Sequence, residues 1–557
     1  MYRKFILFLI GLSCHLLYAQ QKAVTIEVEA MNPIGEMVPF WSYFGYDEPN
    51  YTTRQNGQKL LTELTKLSPA TVYVRAHNLL TSKGNSAGPD LKWGYTDAYK
   101  EDPNGKPIYN WKIVDSIIDN YIERGMKPLM EIGFMPKDLS SKPEPYEHTW
   151  SKGGNLWTGW TFPPKDYDKW RELVYQWVKH CIERYGKKEV VTWLWEVWNE
   201  PDIPYWSGTF EEYCKLYDYA ADGLKKACPE CIIGGPHTTS PRSDKAYKYL
   251  TDFITHCLRG KNYATGKTGT PLQYIGFHAK GSPELVDGHI RMNMGAQLKD
   301  IQRGFEAVNS FPELKGIPII IGECDPEGCA ACSEKREPKY GYRNGTMYSS
   351  YTASSFARIY ELMDIHKVNL KGAVSWSFEF EDQEWFAGFR DLATNGINKP
   401  VLNIFRMFGL MKGKRVLVKS SNGLSVNEII ANGVKGKSDI HAMASKTEHA
   451  LSIMVWNYHD DNINNTSVPV ELNLNGIGTH NVLIHHYRVD QQFSNSFEKW
   501  NAMGKPQQVN ESQYAQLEKA GQLQLYTSPE WKKILNDRLM LKFDLPAQGV
   551  SLIQLTW

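Results

Sequence analysis

Between about residues 36 and 410 this 557-residue chain alternates, eight times over, a short apolar run with a longer amphipathic one. The short runs are PFWSYFGY (39–46), ATVYVRAHN (70–78), KPLMEIGFMP (127–136), VTWLWEVWNEP (191–201), CIIGGP (231–236), QYIGFHAKG (273–281), IPIIIGECDP (317–326) and GAVSWSFEF (372–380). After the first four come GQKLLTELTKLS (57–68), WKIVDSIIDNYIERG (111–125), DYDKWRELVYQWVKHCIERYG (166–186) and FEEYCKLYDYAADGLKKAC (210–228). Their apolar residues recur every three or four positions, the period of a helix with one buried face. Eight strand–helix units are the count of an α/β fold of the (β/α)8 or TIM-barrel type. A doubly wound sheet alternates in a similar way, but no glycine-rich turn follows the first strand here, which favours the barrel.

Beyond about residue 412 the period changes to two. ALSIMVWNYHD (450–460), SVPVELNLNG (467–476), HNVLIHHYRVD (480–490), RLMLKFDLP (538–546) and VSLIQLTW (550–557) are joined by turns containing Gly, Asn and Asp. This pattern predicts a C-terminal antiparallel β-sandwich over 412–557, after a barrel domain over 20–411. AVTIEVEA (23–30) is open to pairing with the sandwich rather than the barrel. No internal repeat, low-complexity tract or long linker separates the two domains, so they are expected to pack together.

The chain starts MYRKFILFLIGLSCHLLYAQQ, with Arg3 and Lys4 before an apolar stretch from Phe5 to Leu17 and then Ala19-Gln20. Residues 1–19 read as a secretory signal peptide cut after Ala19, which sends the protein to the periplasm or out of the cell. Cys14 raises a lipid anchor, but apolar residues continue past it and Leu12-Ser13 makes a poor lipobox. No later run is long and apolar enough for membrane insertion after cleavage. The net charge of +1 gives no electrostatic case for nucleic acid. CPEC (228–231) and CAAC (329–332) are about a hundred residues apart with no knuckle-like flank, so local disulfides or buried thiols are preferred to zinc. The 18 Trp and 31 Tyr suit both core packing and stacking on the C–H faces of sugars.

In a barrel, chemistry collects at the C-terminal ends of the strands. Four of those ends carry polar residues that apolar cores exclude: Arg75 and His77 on the second, Asn199 and Glu200 on the fourth, His278 and Lys280 on the sixth, Glu323 and Asp325 on the seventh. The fourth and seventh strands lie nearly opposite each other, so Glu200 and Glu323 would face one another across the hollow. Two carboxyls about 5 Å apart suit retaining glycoside hydrolysis, one as acid/base and one as nucleophile. The acid must stay protonated, and Trp195, Trp198 and nearby aromatics are expected to wall Glu200 off from water. The nucleophile must stay ionised, and Arg75 beside Glu323 would favour that. Asn199 is placed for the sugar 2-hydroxyl, and Pro201 is expected to end the strand's ladder pairing. Glu131 and Glu196 read as structural. This chemistry calls for a carbohydrate substrate and for no metal or organic cofactor. The rival readings are an arabinosidase or endo-glycanase on the same fold, and a sugar-binding protein without catalysis.

The chain resembles glycoside hydrolase family 39 through RAHNLL (75–80), EIGFMP (131–136), WEVWNEPD (195–202), GGP (234–236), IIIGECDP (319–326) and NGINKPVLNIFRMFGLM (395–411). The resemblance implies an exo-acting retaining glycosidase with Glu200 as acid/base and Glu323 as nucleophile, and with Arg75, His77, Asn199 and His278 at or beside the bound sugar. β-Xylosidases and α-L-iduronidases are the relevant branches. HAKG (278–281), GECDP, SPRS (240–243) and ITHCLRGKNYATG (254–266) resemble the iduronidase branch, in which the lysine matching Lys280 binds the uronate carboxylate and Asp382 and Arg390 fall near further contacts. EGCAACS (327–333) departs from that branch's Gly-Trp, and Gly322 stands where the branch has Asp. The two substrates share ring arrangement at C1 to C4 and differ at C5, so specificity turns on whether Lys280 is a free cation or a salt-bridge partner of an acid such as Glu284 or Asp382.

Overall fold

The computed structural model describes residues 22–84, 94–148, 156–329, 332–376, 383–462 and 467–557. Residues 1–19 with Cys14, and Asp382, lie outside the described residues. Strand β1 (Val24–Glu36) is set apart from the barrel. The barrel strands follow as β2 (Tyr43–Tyr46), β3 (Tyr73–Ala76), β4 (Lys127–Ile132), β5 (Leu194–Val197), β6 (Ile232–Thr238), β7 (Tyr274–Lys280), β8 (Pro318–Asp325) and β9 (Asn369–Trp376). All eight pair in parallel with their neighbours in sequence, and β9 returns to β2 to close the ring. The helices α1 (Gln55–Thr65), α2 (Lys112–Ile122), α3 (Tyr167–Tyr185), α4 (Phe210–Ala227), α5 (Asp244–Arg259), α6 (Met294–Asn309), α7 (Thr346–His366) and α8 (Pro400–Leu410) follow the strands in turn. Local chemistry sets their starts. Asp166 accepts from the Asp168 and Lys169 amides at the head of α3, and Thr209 forms a capping box with Glu212 at the head of α4.

The barrel interior is built in layers. Tyr43, Leu129, Tyr274, Ile320 and Val374 form an apolar floor with Tyr73, Leu194 and Ile232 packed against it. One alternation further along the strands, the inward positions become Arg75, Glu131, Glu196, Gly276 and Gly322. The floor keeps water out from below, and the layer above it holds the buried charged groups of Arg75, Glu131 and Glu196. Trp195 takes the opposite face of β5 and packs edge-on against Trp177 of α3, with ring centroids 5.6 Å apart. It belongs to the layer between strands and helices and does not wall Glu200.

The second domain contains β10 (Lys414–Ser420), β11 (Asp439–Lys446), β12 (Ala450–Tyr458), β13 (Val468–Asn475), β14 (Asn481–Val489), β15 (Gln524–Lys533), β16 (Arg538–Leu545) and β17 (Val550–Thr556). With β1 they form one nine-stranded sheet in the order β15-β14-β17-β12-β11-β10-β1-β13-β16. Every pair is antiparallel except β1 with β13. Ile26, Val28, Ile453, Leu472, Leu474, Val482 and Leu555 are fully buried in a core drawn from these strands and their turns, so the sheet curls over and covers itself. The sandwich is therefore one continuous sheet rather than two. Cys228–Cys231 and Cys329–Cys332 are disulfides, while Cys181, Cys214, Cys257 and Cys324 are buried thiols.

Candidate active site

The turn after β5 carries Asn199 and Glu200. The ladder ends at Val197, paired with Ile132, before Pro201 is reached. Trp198 and Glu200 both take left-handed backbone conformations, with φ of 73° and 46°. Such residues persist only where the surroundings over-determine them. Here the Trp198 amide donates to Ile132 O (3.2 Å) and the Glu200 amide to His237 O (3.0 Å), so the ends of β4 and β6 grip the turn. The left-handed step at Trp198, not the proline, takes the chain out of the sheet.

On the opposite side, β7 and β8 slip register. Phe277 pairs with Ile321, but His278 pairs with Glu323, which leaves Gly322 as a bulge. The extra residue re-aims Glu323 into the barrel. A Cβ on Gly322 would stand 2.1 Å from His237 Nδ1, and one on Gly276 would stand 2.3 Å from His237 Nε2. The His237 ring therefore fills the space two missing side chains leave, and its Nε2 lies 2.6 Å from Glu196 Oε2.

Arg75 organises the layer below the rim. It is fully buried and donates through Nε to Glu196 (2.6 Å), through Nη1 to His77 Nε2 (2.9 Å) and Glu323 (3.3 Å), and through Nη2 to Asn199 Oδ1 (3.0 Å) and Glu131 (3.4 Å). Because arginine only donates, Asn199 must present its oxygen to Arg75, which turns its amide NH2 away. Burial pushes Glu131 well up, against the pull of Arg75, so it is protonated beside His77 Nε2 at 3.1 Å. Glu196 is pushed up by the same burial, but Arg75 and His237 outweigh it and hold it low.

The two rim carboxyls are driven apart. Burial, the Glu323 charge and Asp202 push Glu200 well above the usual carboxylate range, so it carries a proton. Burial would also raise Glu323, but the Lys280 ammonium, joined by the Arg390 guanidinium, holds it well below that range. Lys280 Nζ stands 2.6 Å from Glu323 Oε2. His278 Nδ1 lies 2.9 Å from Glu200 Oε1 and 3.7 Å from Glu323 Oε1, and burial keeps its imidazole neutral. Ligand atoms of Glu200, His278 and Glu323 all fall within 4.8 Å of one another. Three such groups resemble a metal site in outline. Lys280 and Arg75 already stand against Glu323, however, and a divalent ion there would face two cations. The donor set does not fit a metal.

The sequence-expected residues therefore converge, apart from Asp382, which lies outside the described residues. Lys280 is not paired with Glu284. It bridges Glu323 and Asp325, the latter at very short range. Arg390 is buried, 2.9 Å from Asp325, 3.6 Å from Asp47 and 3.8 Å from Glu323. Asp47, Trp376, His237 and Tyr205 are additional members that the sequence reading missed. Trp376 lies under His77 (4.4 Å) and Arg75 (5.0 Å) and donates to Asp47 (3.2 Å). Tyr205 replaces Trp195 as the apolar neighbour, with its phenol pushed up chiefly by burial. Asp47, Trp376 and His237 all sit at or just past a strand's C-terminal end, so the rule that found Arg75 would have found them too.

A closed parallel barrel whose rim holds two carboxyls this close, one protonated and one ionised, is the constellation of a retaining glycoside hydrolase. The chain matches the model for glycosyl hydrolases family 39 over residues 24–532 and belongs to that family. A β-xylosidase of Geobacillus stearothermophilus is 26% identical over 506 residues, covering 87% of this chain and 86% of its own. An α-L-iduronidase of Mus musculus is 25% identical over 520 residues, covering 86% of this chain and 73% of its own. Among solved structures, a monomeric β-xylosidase from Caulobacter crescentus CB15 superposes with a TM-score of 0.71 at 20% identity, covering 96% of this chain and 99% of that one.

Proposed function

We propose that the protein removes a terminal neutral xylosyl unit from a glycan, by double displacement on Glu200 and Glu323. One Glu323 oxygen attacks the anomeric carbon while the glycosidic C–O bond breaks, and the Glu200 proton passes to the leaving oxygen. Glu200, now a carboxylate, takes a proton from water as the water oxygen attacks the same carbon and Glu323 departs. The Asn199 amide NH2 is directed to the sugar 2-hydroxyl. The opposite electrostatic treatment of two carboxyls within 4.8 Å carries this reading.

The choice of a neutral sugar rests on charge balance. Arg75, Lys280 and Arg390 face Glu196, Glu323, Asp47 and Asp325, so no cation is in surplus for a substrate carboxylate. A uronosyl unit is the second reading. It is favoured by Arg390 Nε, which is buried without a partner among the described residues and is a donor suited to a carboxylate. Export is part of the proposal, supported by the basic-then-apolar opening of the chain and by two disulfides. Initial rates on aryl β-D-xyloside and aryl α-L-iduronide, with Lys280→Ala alongside, test the choice. Xyloside cleavage supports the neutral reading. Iduronide cleavage that Lys280→Ala abolishes replaces it with a uronidase.

A further inference from the structure

We infer that Arg242 and Asp300, which lie outside the site, are positioning residues for its central cation: they fix the backbone of Lys280 and so set where its ammonium stands. This rests on Glu200 and Glu323 as the catalytic pair. The need for such a brace arises in the sheet. β6 pairs with β7 only as far as Thr238 and Phe277. The next residue, Thr239, is drawn off by Asp202, whose carboxylate accepts from the Thr239 amide at 2.9 Å. The last residues of β7, His278 to Lys280, keep β8 on one side but have no β6 residue in register on the other. A buried strand edge without a partner costs free energy and leaves the strand end free to shift.

Side chains take the place of the missing strand. Asp300 of α6 accepts from the Lys280 amide through Oδ2 (3.2 Å), and Arg242 Nη1 donates to the Lys280 carbonyl (2.7 Å). The two are also joined to each other. The Arg242 amide donates to Asp300 Oδ1 (2.8 Å) and Arg242 Nη1 to Asp300 Oδ2 (3.1 Å). One turn earlier on α6, Gln297 donates to the Ala279 carbonyl (3.2 Å). One ion pair therefore holds both backbone groups of Lys280. Asp300 is fully buried and touches no substrate. It acts through what it holds, which is the residue whose ammonium stands 2.6 Å from Glu323. This gives the SPRS stretch (240–243) a purpose, since it carries Arg242 to the end of β7. Burial pushes the Asp300 carboxyl up to about 7, against the pull of Arg242. Without Arg242 it rises further and is neutral at pH 7, so Arg242→Ala leaves no buried charge behind.

The test is a double-mutant cycle on kcat/KM, with whichever aryl glycoside is cleaved. Arg242→Ala is expected to lower kcat/KM about tenfold, as misplacing a charge beside the reacting atoms does, and to cost nothing further in a Lys280→Ala background. Asp300→Asn is expected to behave in the same way, and Arg242→Lys, which keeps a charged donor, to recover part of the loss. A second readout needs no substrate. In protein carrying isotope-labelled glutamate, the Glu323 carboxyl is assigned against Glu323→Gln and titrated by infrared. Its pKa is expected to stand about half a unit higher in Arg242→Ala than in wild type. Losses that multiply in the Lys280→Ala background overturn the inference, because they show a role independent of Lys280. A kcat/KM within about twofold of wild type in both Arg242→Ala and Asp300→Asn overturns it as well. Wild-type protein silent on every aryl glycoside overturns the glycosidase reading alone. The Glu323 titration then decides the brace, and an unmoved pKa overturns it.

Discussion

Lys280 is the residue on which both ionisation and specificity turn. Its ammonium, 2.6 Å from Glu323, leads the groups that keep the nucleophile ionised. Replacing it with alanine raises the Glu323 pKa in the free enzyme. Activity needs Glu323 ionised, so the acid limb of the kcat/KM–pH profile moves to higher pH, by about one unit or more for loss of an adjacent buried charge. The basic limb reports Glu200, which must keep its proton. In Glu323→Gln the neighbouring charge is gone, so the Glu200 pKa falls, which a carboxyl-resolved infrared or NMR titration reads directly. Arg75 is the structural counterpart. Arg75→Met leaves Glu196 a buried charge without its cation, and urea unfolding is expected to show a loss of about 3–5 kcal/mol. Its place at a strand end was legible in the sequence. Its nearest partner, Glu196, was not, because only closure of the ring brings the layers of β3 and β5 together.

Among the elements, the β8 bulge carries most of the design. Gly322→Ala would place a methyl 2.1 Å from His237 Nδ1 and 3.0 Å from His278 Nε2. The imidazoles must shift, and kcat/KM is expected to fall at least tenfold with about 1–3 kcal/mol of lost stability in urea. All eight barrel strands were readable from their apolar runs and the helical periods between them. Three local features were not. The ladder stops at Val197 because Trp198 turns left-handed, and tryptophan carries no sequence signal for that conformation. Trp195 points to α3 because strand alternation puts Glu196 inward, a parity that an apolar run with two glutamates leaves open. The bulge at Gly322 depends on the fit of His237, 85 residues earlier (322 minus 237), and no local pattern encodes it.

The whole molecule is bound through α7, which is buried continuously from Met347 to Tyr360 between the barrel and β12. Arg358 of α7 meets Asp439 of β11 at 2.9 Å in the dry interface, and Arg415 of β10 meets Asp364 at 2.8 Å. Neither domain can lose the other without exposing that helix. Calorimetry is therefore expected to give one unfolding transition, and Asp439→Ala, which leaves Arg358 without its buried partner, lowers its midpoint without splitting it. Two separate transitions would refute this coupling. The alternation of residues 23–30 marks β1 as a strand, but its partners, β10 and β13, lie some four hundred residues later, a distance at which the sequence gives no pairing signal. The central claim is that Glu200 and Glu323 act as a retaining pair, and the most direct test is the anomer first released. Proton NMR during rapid hydrolysis of the active aryl glycoside is expected to show the product with the substrate's own anomeric configuration before mutarotation. An inverted product would contradict a covalent intermediate on Glu323.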